Sequence, residues 1–453
     1  MHGLDSWVDE RNVGLLVDQY ELAMFRAYLG EGLTKTAVFS LFVRRLPPAR
    51  NYLLACGLET VVDVLEQLRF GPAELEAVRC TGVADAAALS ALRDFRFTGD
   101  LWAVPEGTPV FGQEPLLEII APLPEAQLVE TIVMNQVHLQ TLLASKASRV
   151  VQAAGGRDVV DFGLRRAHGA DAGLKAARAA YVAGATSTSN VLAGALYGIP
   201  VTGTMAHSWV QAHATELGAF HAWCVSHPAS TLLVDTYDTL QGVRNVVRLA
   251  RDLGPNFHVR AIRVDSGDLL DLSRQSRALL DEAGLGHVRI FASGGLDEHD
   301  VHRLVASGAP IDGYGVGTAM TVSSDVPALD CAYKLVEYDG RPTLKLSPGK
   351  VSLPGRKQVF REATGDVIAR FGEPPEGGRP LLEEVMRAGR RVRRAPRLTD
   401  ARRRAAEELA RLPQSLRALE PAAGDWAVAP SASLRRLSAE AELAARAASA
   451  SID

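Results

Sequence analysis

One histidine of this sequence follows an apolar stretch, a position where its side chain could take part in acid–base chemistry. His207 is in GTMAHSW, just beyond the apolar stretch that begins at Ile199, with Thr204 and Ser208 beside it. Imidazole is the side chain that exchanges a proton near neutral pH, which suits it to acid–base work. A lone histidine can equally be structural, so the motif alone leaves both interpretations open.

Two aspartates enclose a small turn in RVDSGD. Asp265 and Asp268 flank Ser266-Gly267 directly after an apolar stretch. Paired carboxylates at such a turn could hold ribose hydroxyl groups or a divalent ion, and Mg²⁺ prefers oxygen ligands of this kind. Asp and Ser also favour the N-cap positions of helices, so a purely structural interpretation stays open here too.

Glycines and arginines in three further motifs indicate a site for anions. ASGGL contains Gly294-Gly295, and YGVGT ends in Gly317-Thr318. Glycine-rich loops that lead into helices expose backbone N–H groups, which bind phosphate. Two such loops in succession favour a phosphate ligand. Arg165 and Arg166 in DFGLRRAHG could add bidentate contacts to phosphate oxygens, or they could form surface ion pairs.

The elements that must position these side chains alternate between strands and helices over residues 122–322. Brief apolar strands end in Gly, Ser, Thr, Asp or His, and helical stretches such as TLQGVRNVVRLARDLG separate them. Alternation of this kind predicts a parallel sheet, and about six or seven such units favour an irregular (β/α) barrel. In a barrel, the polar side chains at the carboxyl ends of the strands are the functional ones.

Three zones predict the domain organisation of this α/β chain. Residues 1–121 mix helical stretches with short strands and predict an N-terminal α/β sandwich domain, which the hairpin-like segment 323–380 completes. Residues 122–322 are predicted to form the α/β barrel domain that carries the candidate catalytic residues. Residues 381–453, rich in Arg, Ala and Glu, predict a helical C-terminal tail whose basic cluster is solvated.

The composition excludes several classes of protein. With 453 residues, 47% hydrophobic and 23% charged, the chain is typical of a globular protein of two or three domains. A net charge of −4 provides no basic field for nucleic acid, and four scattered cysteines do not build a disulfide scaffold or a structural zinc site. No secretory signal or membrane-spanning stretch is evident. We therefore expect a cytoplasmic protein without nucleic-acid or membrane partners.

The motifs occur together in an order that resembles nicotinate phosphoribosyltransferase, a family of type II phosphoribosyltransferases. They are DFGLRRAHG, TSN, VLAGALYGIPVTGTMAHSWV, LLVDTYDT, RVDSGD, FASGGL and YGVGT, preceded by LLVDQYELAM and FVRRLPPARNYLLACGLE. The resemblance runs collinearly over residues 13–372. No single motif is as specific as their combination.

The resemblance implies an ATP-dependent enzyme of the ligase class. The family transfers the 5-phosphoribosyl group of phosphoribosyl pyrophosphate to the ring nitrogen of nicotinate, giving nicotinate mononucleotide and pyrophosphate in NAD salvage. Turnover is coupled to ATP through a phosphorylated histidine, which matches His207, and Mg²⁺ is expected although we assign it no protein ligand. The family is usually a homodimer in which the sandwich of one subunit completes the barrel site of the other.

The resemblance also implies roles for residues around the substrates. The residues that contact nicotinate match Tyr20, which would stack on the ring, and Thr204, His207, Ser208 and Arg263, of which Arg263 would face the carboxylate. The residues expected around the phosphates are Gly294, Gly295, Gly317 and Thr318, with Arg165 and Arg166 toward the pyrophosphate. Independently of the resemblance, the transfer builds positive character on the ribose, so Asp265 and Asp268 are predicted to be catalytic carboxylates near it.

Two departures from the family pattern accompany the resemblance. The usual GTSN reads Ser187-Thr188-Ser189-Asn190 here, and the usual proline after RRAxG is Ala170. Neither change removes a reactive group. Nicotinamide and quinolinate phosphoribosyltransferases are the alternatives within the enzyme class, and the intact GTMAHS motif argues against the second. A catalytically silent ligand sensor is the alternative from a different class.

Overall fold

The structure, a computed structural model, describes residues 8–48, 50–347, 352–374, 377–422, 424 and 426–450. The chain divides into two units, of which the first comprises Met1–Leu142 with Ala328–Asp453 and the second comprises Leu143–Pro327. The fold-class prediction, an irregular barrel plus an N-terminal domain completed by a C-terminal segment, is confirmed by the sheets of the two units.

The helices and strands follow one another in three segments. The first segment contains α1 (Gln19–Gly30), β1 (Thr36–Val43), β2 (Leu53–Leu54), α2 (Leu58–Gln67), α3 (Pro72–Thr81), α4 (Ala86–Arg93), β3 (Asp100–Ala103), β4 (Pro109–Val110), β5 (Pro115–Pro122) and α5 (Leu123–Leu128), followed by α6 (Glu130–Ala153). The second contains β6 (Asp158–Asp161), α7 (Ala170–Ala183), β7 (Ser187–Thr188), α8 (Val191–Tyr197), α9 (His207–Gln211), α10 (Glu216–Ser226), β8 (Thr231–Leu233), α11 (Thr239–Leu253), β9 (Ala261–Val264), α12 (Leu269–Glu282), β10 (Arg289–Ala292), α13 (Glu298–Ala306), β11 (Gly313–Val316) and α14 (Thr318–Thr321). The third contains β12 (Cys331–Tyr338), β13 (Arg341–Pro342), β14 (Lys357–Arg361), β15 (Gly365–Arg370), β16 (Arg379–Pro380), β17 (Glu383–Arg387), β18 (Arg390–Arg391), α15 (Leu398–Arg411), α16 (Gln414–Arg417), β19 (Ala427–Pro430) and α17 (Ala432–Ala450). Short 3-10 helices lie at Val13–Leu15, Leu164–Arg166 and Gly254–Asn256.

The second unit is built on a parallel sheet in the order β7-β6-β11-β10-β9-β8. Thr188, the last residue of β7, also forms an isolated parallel bridge with Val201. The residues that follow Val201 line the same interior cavity as Thr231 of β8, so the two edges of the sheet curl toward each other. Because all strands run in parallel, their carboxyl ends meet at one rim of the barrel.

Helix α11 illustrates why these helices pack on the sheet. The Asp238 carboxylate accepts the Gln241 N–H at 2.7 Å and caps the helix. Val243, Val246 and Leu249 share one face and are buried, whereas the polar positions between them are mostly exposed. An apolar face with this helical spacing must be covered by a neighbouring layer. Gly242, also buried, packs against the chain just after β8, where a Cβ atom would lie 2.0 Å from the Val234 carbonyl oxygen.

The first unit contains two main sheets. One has the order β13-β12-β1-β5-β3-β17-β18, in which β12 of the C-terminal segment pairs antiparallel with β1. The other has the order β16-β14-β15-β19. The boundary to the second unit falls after residue 142, within α6, rather than after residue 121, because α5 packs against α1 and β1 of the first unit.

Residues 381–453 differ from the helical tail that the composition predicts. β17 pairs with β3, β18 pairs with β17, and β19 runs parallel to β15, so the segment supplies strands to both sheets. Arg391 of the expected solvated cluster is largely buried and forms ion pairs with Glu59, Asp63 and Glu66 at 2.7, 2.5 and 3.0 Å. These acids precede Arg391 by more than 300 residues, so local composition could not reveal them.

A buried carboxyl group in the first unit yields a pH-dependent prediction. Burial and the adjacent Asp366 raise the pKa of Glu114 well above its ordinary value, although the Phe111 N–H donates to it at 2.9 Å. The folded state therefore keeps a proton that the unfolded state releases. Stability from this group is complete at low pH and is lost as the pH rises toward the folded pKa.

We expect Glu114→Gln to remove that loss, because glutamine is neutral at every pH. Relative to the parent protein, the melting temperature of the variant should rise with pH, by an amount equivalent to about 1 kcal/mol or more near pH 9. Differential scanning calorimetry across pH measures it, with exposed Glu31→Gln as the control. Parallel pH profiles for the parent and Glu114→Gln proteins would contradict the prediction.

Candidate functional site

Arg263 holds together the polar residues at the carboxyl rim of the barrel. Its Nε donates to Ser293 Oγ at 2.7 Å, one terminal nitrogen donates to Thr204 Oγ1 at 3.0 Å, and the other pairs with Asp265 Oδ1 at 2.6 Å. The guanidinium also lies over the Phe162 ring, 5.2 Å from its centre. One partly buried cation thus connects the ends of β6, β9 and β10 with the segment that follows Val201.

Asp265 shares its rim position with two further polar groups. Its backbone N–H donates to Asp235 Oδ2 at 3.0 Å, and Ser293 Oγ donates to its carboxylate. Burial alone would raise the pKa of Asp265, but the Ser293 hydrogen bond and the Arg263 charge outweigh burial and lower it. Asp265 is therefore held as a carboxylate at neutral pH.

His207 is the first residue of α9, where the chain turns from the strand-like segment into a helix. Its Nδ1 lies 3.1 Å from Thr236 Oγ1, and its Nε2 lies 3.9 Å from Asp265 Oδ2. The side chain is 41% exposed. An imidazole oriented at one nitrogen, open to solvent and next to a carboxylate can act as a base or as a nucleophile.

The sequence motifs contain two functional candidates that the residue-level analysis missed. Asp235 in LLVDTYDT accepts hydrogen bonds from the Asp265 N–H and, at 2.6 Å, from Ser266 Oγ. Ser293 in FASGGL bonds both Arg263 and Asp265. Ser293 directly follows β10 and Asp235 lies two residues after β8, so the rule that highlighted Asp265 could have found them.

Asp161, which the sequence analysis also missed, accepts hydrogen bonds from three residues near the rim. Its carboxylate accepts the Gly163 N–H at 2.9 Å, Thr188 Oγ1 at 2.8 Å and Thr321 Oγ1 at 3.4 Å. Burial raises the pKa of Asp161, and these hydrogen bonds only partly oppose the shift. The residue joins the ends of β6 and β7 to α14 and has no open face for a ligand.

The glycine loops differ from each other in their physical role. Gly294 has φ +103°, and a Cβ atom there would lie 1.9 Å from the Asp265 carbonyl oxygen, so only glycine lets the loop pass over Asp265. Gly295 also has positive φ, with open space around it. Within the described part of the chain, the Gly294 and Gly295 amides donate no hydrogen bond, which leaves them available to an anion.

The glycines in and next to the YGVGT motif mainly allow aromatic rings to pack closely against the backbone. A Cβ atom at Gly315 would lie 2.5 Å from the Phe162 ring, and one at Gly313, directly before the motif, would lie 2.4 Å from the Phe291 ring. These glycines make room for the rings inside the barrel. Gly317-Thr318, at the start of α14, is the part of this motif that reaches the rim.

The remaining predicted residues occupy separate positions. Asp268 caps α12 by accepting the Leu270 and Asp271 N–H groups at 3.0 and 3.1 Å, as the structural interpretation expected. Ser208 is exposed on α9, and Arg165 and Arg166 are exposed on the 3-10 helix after β6. Tyr20, 42% exposed, lies at the start of α1 in the first unit, where burial and Glu130 raise its pKa.

The two departures from the family pattern leave local structure intact. Ala170 is the first residue of α7, a position at which proline is favoured but not required. In the STSN stretch, Thr188 bonds Asp161, and Asn190 caps α8 by accepting the Ala193 N–H at 3.1 Å. Ser187, which stands where the family has glycine, lines the interior cavity.

A cavity of about 220 Å³ lies inside the barrel, and Arg263 is one of its lining residues. Phe162, Ser187, Thr204 and Ser293 contribute to its wall. Arg289 and Asp158 also line it, so the cavity combines aromatic faces and hydroxyl groups with two guanidinium groups and one carboxylate. Such a lining suits a small, flat, anionic ring.

A divalent ion would find oxygen donors at the rim, although the described residues form no ready-made group of three metal ligands. Asp235 Oδ1 is buried and has no hydrogen-bond partner among the described residues. Mg²⁺ is usually bound through one or two carboxylates together with substrate phosphates and water. Asp235 and Asp265 fit that pattern.

Comparison with known proteins places the chain among nucleotide-synthesising enzymes. Two family models match, the nicotinate phosphoribosyltransferase N-terminal domain at residues 15–138 and the nicotinate phosphoribosyltransferase family at residues 158–349. No helix among the described residues has the length and apolar character needed to cross a membrane.

Individual relatives agree with the family models. Nicotinate phosphoribosyltransferase pncB2 of Mycobacterium tuberculosis is 54% identical over 423 residues, covering 92% of this chain and 91% of the relative. Nicotinate phosphoribosyltransferase of Bacillus subtilis is 42% identical, covering 82% and 79% of the two chains. The crystal structure of human nicotinic acid phosphoribosyltransferase matches with a TM-score of 0.84 and 28% identity, covering 93% of this chain and 99% of the human one. The chain therefore belongs to the nicotinate phosphoribosyltransferase family.

Proposed function

We propose that this protein transfers the 5-phosphoribosyl group of phosphoribosyl pyrophosphate to the ring nitrogen of nicotinate, in a reaction coupled to ATP in the cytoplasm. The products are nicotinate mononucleotide and pyrophosphate, which serve NAD salvage. The observation that carries the proposal is the arrangement of Arg263, Asp265 and His207 at the barrel rim of a chain in this family.

Arg263 is the residue proposed to bind the nicotinate carboxylate. It uses three N–H donors in its contacts with Ser293, Thr204 and Asp265, and a guanidinium has further donors to offer. Because its side chain is only 15% exposed, an uncharged ligand would leave its remaining donors desolvated. The site is therefore expected to favour the acid over the amide.

The acids at the rim are proposed to act on the ribose. During transfer, the bond from C1 to the pyrophosphate oxygen breaks as the bond from C1 to the ring nitrogen forms, and positive charge develops on the sugar. The carboxylates of Asp235 and Asp265 stabilise such charge and can accept hydrogen bonds from ribose hydroxyl groups. Mg²⁺, when bound, supplies positive charge to the departing pyrophosphate.

The phosphate groups are proposed to bind the two glycine loops. Gly294-Gly295 offers backbone N–H groups beside Asp265, and Gly317-Thr318 lies at the end of the neighbouring strand. Arg165 and Arg166, exposed after β6, are proposed to contact the pyrophosphate end. Asp268 would assist from the cap of α12 rather than as a reacting group.

His207 is proposed to carry a phosphoryl group during each turnover. Its Nε2 would attack the γ-phosphorus of ATP, so that an N–P bond forms and the bond to the ADP oxygen breaks. Thr236 fixes the ring through Nδ1, and the Asp265 carboxylate near Nε2 stabilises positive charge on the ring. Thr204 and Ser208 lie next to this ring in the chain and would contact the substrates there.

A substrate panel tests the reaction itself. We expect product from nicotinate but not from nicotinamide or quinolinate when each is supplied with phosphoribosyl pyrophosphate, with and without ATP, and assayed by chromatography of the nucleotide. Arg263→Ala should raise the KM for nicotinate about 100-fold and change the KM for phosphoribosyl pyrophosphate much less, since a charge-paired contact is lost. Exposed Arg260→Ala is the matched control. Turnover of nicotinamide equal to that of nicotinate would contradict the proposed substrate. Equal increases in both KM values in Arg263→Ala would contradict the proposed role of Arg263.

Replacing His207 tests the ATP coupling. His207→Ala should abolish ATP hydrolysis and ATP stimulation while slow, ATP-independent transfer remains, because the phosphoryl acceptor is gone but the ribosyl site is intact. Single-turnover labelling with γ-labelled ATP should mark the parent protein and not the variant. His221→Ala, exposed on α10, serves as the control. ATP stimulation that survives in His207→Ala would rule out the phosphohistidine.

Tyr20 is proposed to stack on nicotinate across a homodimer with shared sites. Its exposure at the start of α1 supports a role at such a shared surface. If one subunit supplies Tyr20 and the other Arg263, an equal mixture of inactive Tyr20→Ala and Arg263→Ala proteins should recover about a quarter of parental activity after exchange. No recovery in a mixture shown by native mass spectrometry to contain mixed dimers would contradict shared sites.

A further inference from the structure

Four charged side chains form a cluster in the second unit, of which Lys146, Arg149 and Glu298 are buried and Asp325 is 31% exposed. Lys146 of α6 lies with Nζ 2.5 Å from Glu298 Oε2 and 2.8 Å from Asp325 Oδ1. Arg149 donates from Nε to Glu298 Oε1 at 2.9 Å. The side chains of Lys146 and Glu298 are 2% and 0% exposed. We call this set the lysine cluster.

The lysine cluster connects the segments that follow two neighbouring strands. β10 and β11 pair side by side, with Phe291 opposite Gly313. Glu298 is the first residue of α13, directly after the loop that contains Gly294-Gly295, and Asp325 follows α14, which begins at Thr318. One lysine therefore holds the elements that flank both glycine loops.

Stability alone does not account for such a cluster. Removing charges from water is costly, and buried ion pairs can often be replaced by apolar residues of similar volume without loss of stability. What apolar packing cannot reproduce is the position of a carboxylate whose two oxygens are each engaged by a different cation. Lys146 and Arg149 outweigh the effect of burial and lower the pKa of Glu298, which keeps it ionised for this role.

The glycine loops need an external constraint of this kind. Ser293, just before the loop, is held through Arg263 and Asp265, but Gly294 and Gly295 both adopt positive φ and their amides make no hydrogen bond within the described chain. The position of the loop therefore depends on its far end, where α13 begins. Glu298 is the residue that fixes that end to α6.

We propose that Lys146 and Glu298 are positioning residues for phosphoribosyl pyrophosphate, because they set the distance between the Gly294-Gly295 loop and the Gly317-Thr318 loop. The inference rests on the proposed function, in which the two loops hold phosphate groups of one substrate. The proposal predicts different effects on the two substrates. The phosphate loops depend on the lysine cluster, whereas the nicotinate contacts depend on Arg263.

Lys146→Met, which keeps length but removes charge, tests the proposal. The KM for phosphoribosyl pyrophosphate should rise about 10- to 100-fold, since misplacement of a binding group by about 1 Å costs as much. The KM for nicotinate should change less than about threefold. Lys146→Arg should have a KM for phosphoribosyl pyrophosphate close to the parental value, because it keeps a cation on α6. Steady-state kinetics with each substrate varied in turn gives both constants.

A second variant separates positioning from stability. Lys146→Met leaves Asp325 without its lysine, and the double variant Lys146→Met/Asp325→Asn removes that charge while retaining the Arg149–Glu298 pair. The double variant should regain melting temperature, yet its KM for phosphoribosyl pyrophosphate should stay raised. A well-folded double variant with the parental KM, or one in which both KM values rise equally, would overturn the inference. Failure of the parent protein to form nicotinate mononucleotide would instead overturn the proposed function.

Discussion

The ion pair between Arg263 and Asp265 is the interaction on which the rim of the barrel depends. Arg263 lies in β9 and Asp265 follows that strand directly. Residues two positions apart on an extended chain project to the same side, and each of these two then contacts different neighbours. Arg263 reaches Thr204 and Ser293, and Asp265 accepts from Ser293 and binds Asp235 through its backbone. The pair is sustained by its surroundings: Gly315 makes room for the Phe162 ring, and that ring supports the guanidinium.

Two aspartates near the same rim show how the surroundings shift the pKa of one residue type in opposite directions. Asp161 is enclosed and accepts only neutral donors, so burial dominates and its pKa rises. Asp265 is also partly buried, but an arginine and a serine act on it and its pKa falls. The first is suited to joining strand ends and the second to a permanent negative charge. The net charge of −4 for the whole chain conveys nothing of this local arrangement.

Much of the rim could be predicted from the sequence because the information is local. Each strand is short, its end is marked by a polar residue, and strands that alternate with helices form a parallel sheet, so the sequence predicts His207 and Asp265 on one edge. Arg263 follows only from the family resemblance. Asp235, Asp161 and Ser293 lay inside the quoted motifs and were missed because no single residue type distinguishes a ligand-facing group from a supporting one. Asp268 is the opposite case: the same sequence pattern fits a helix cap equally well, and the structure shows Asp268 capping α12.

The features that escaped prediction depend on contacts distant in sequence. β17 is a strand because β3 offers it an open edge, and Arg391 is buried because three acids of α2 surround it. The lysine cluster is of the same kind: Lys146, Glu298 and Asp325 belong to three separate elements, and none lies in a recognisable motif.

The position of Asp265 has a consequence for the proposed reaction. Its carboxylate lies between two groups, with Arg263 on one oxygen and His207 Nε2 3.9 Å from the other. A neutral or protonated imidazole tolerates this neighbour, whereas a phosphoryl group on Nε2 would bring further negative charge toward it. Arg263 is the cation positioned to offset that repulsion, and it is also the proposed ligand of nicotinate. In the proposed reaction, phosphorylation of His207 and binding of the acid would therefore act on the same guanidinium, which would connect ATP electrostatically to the substrate site.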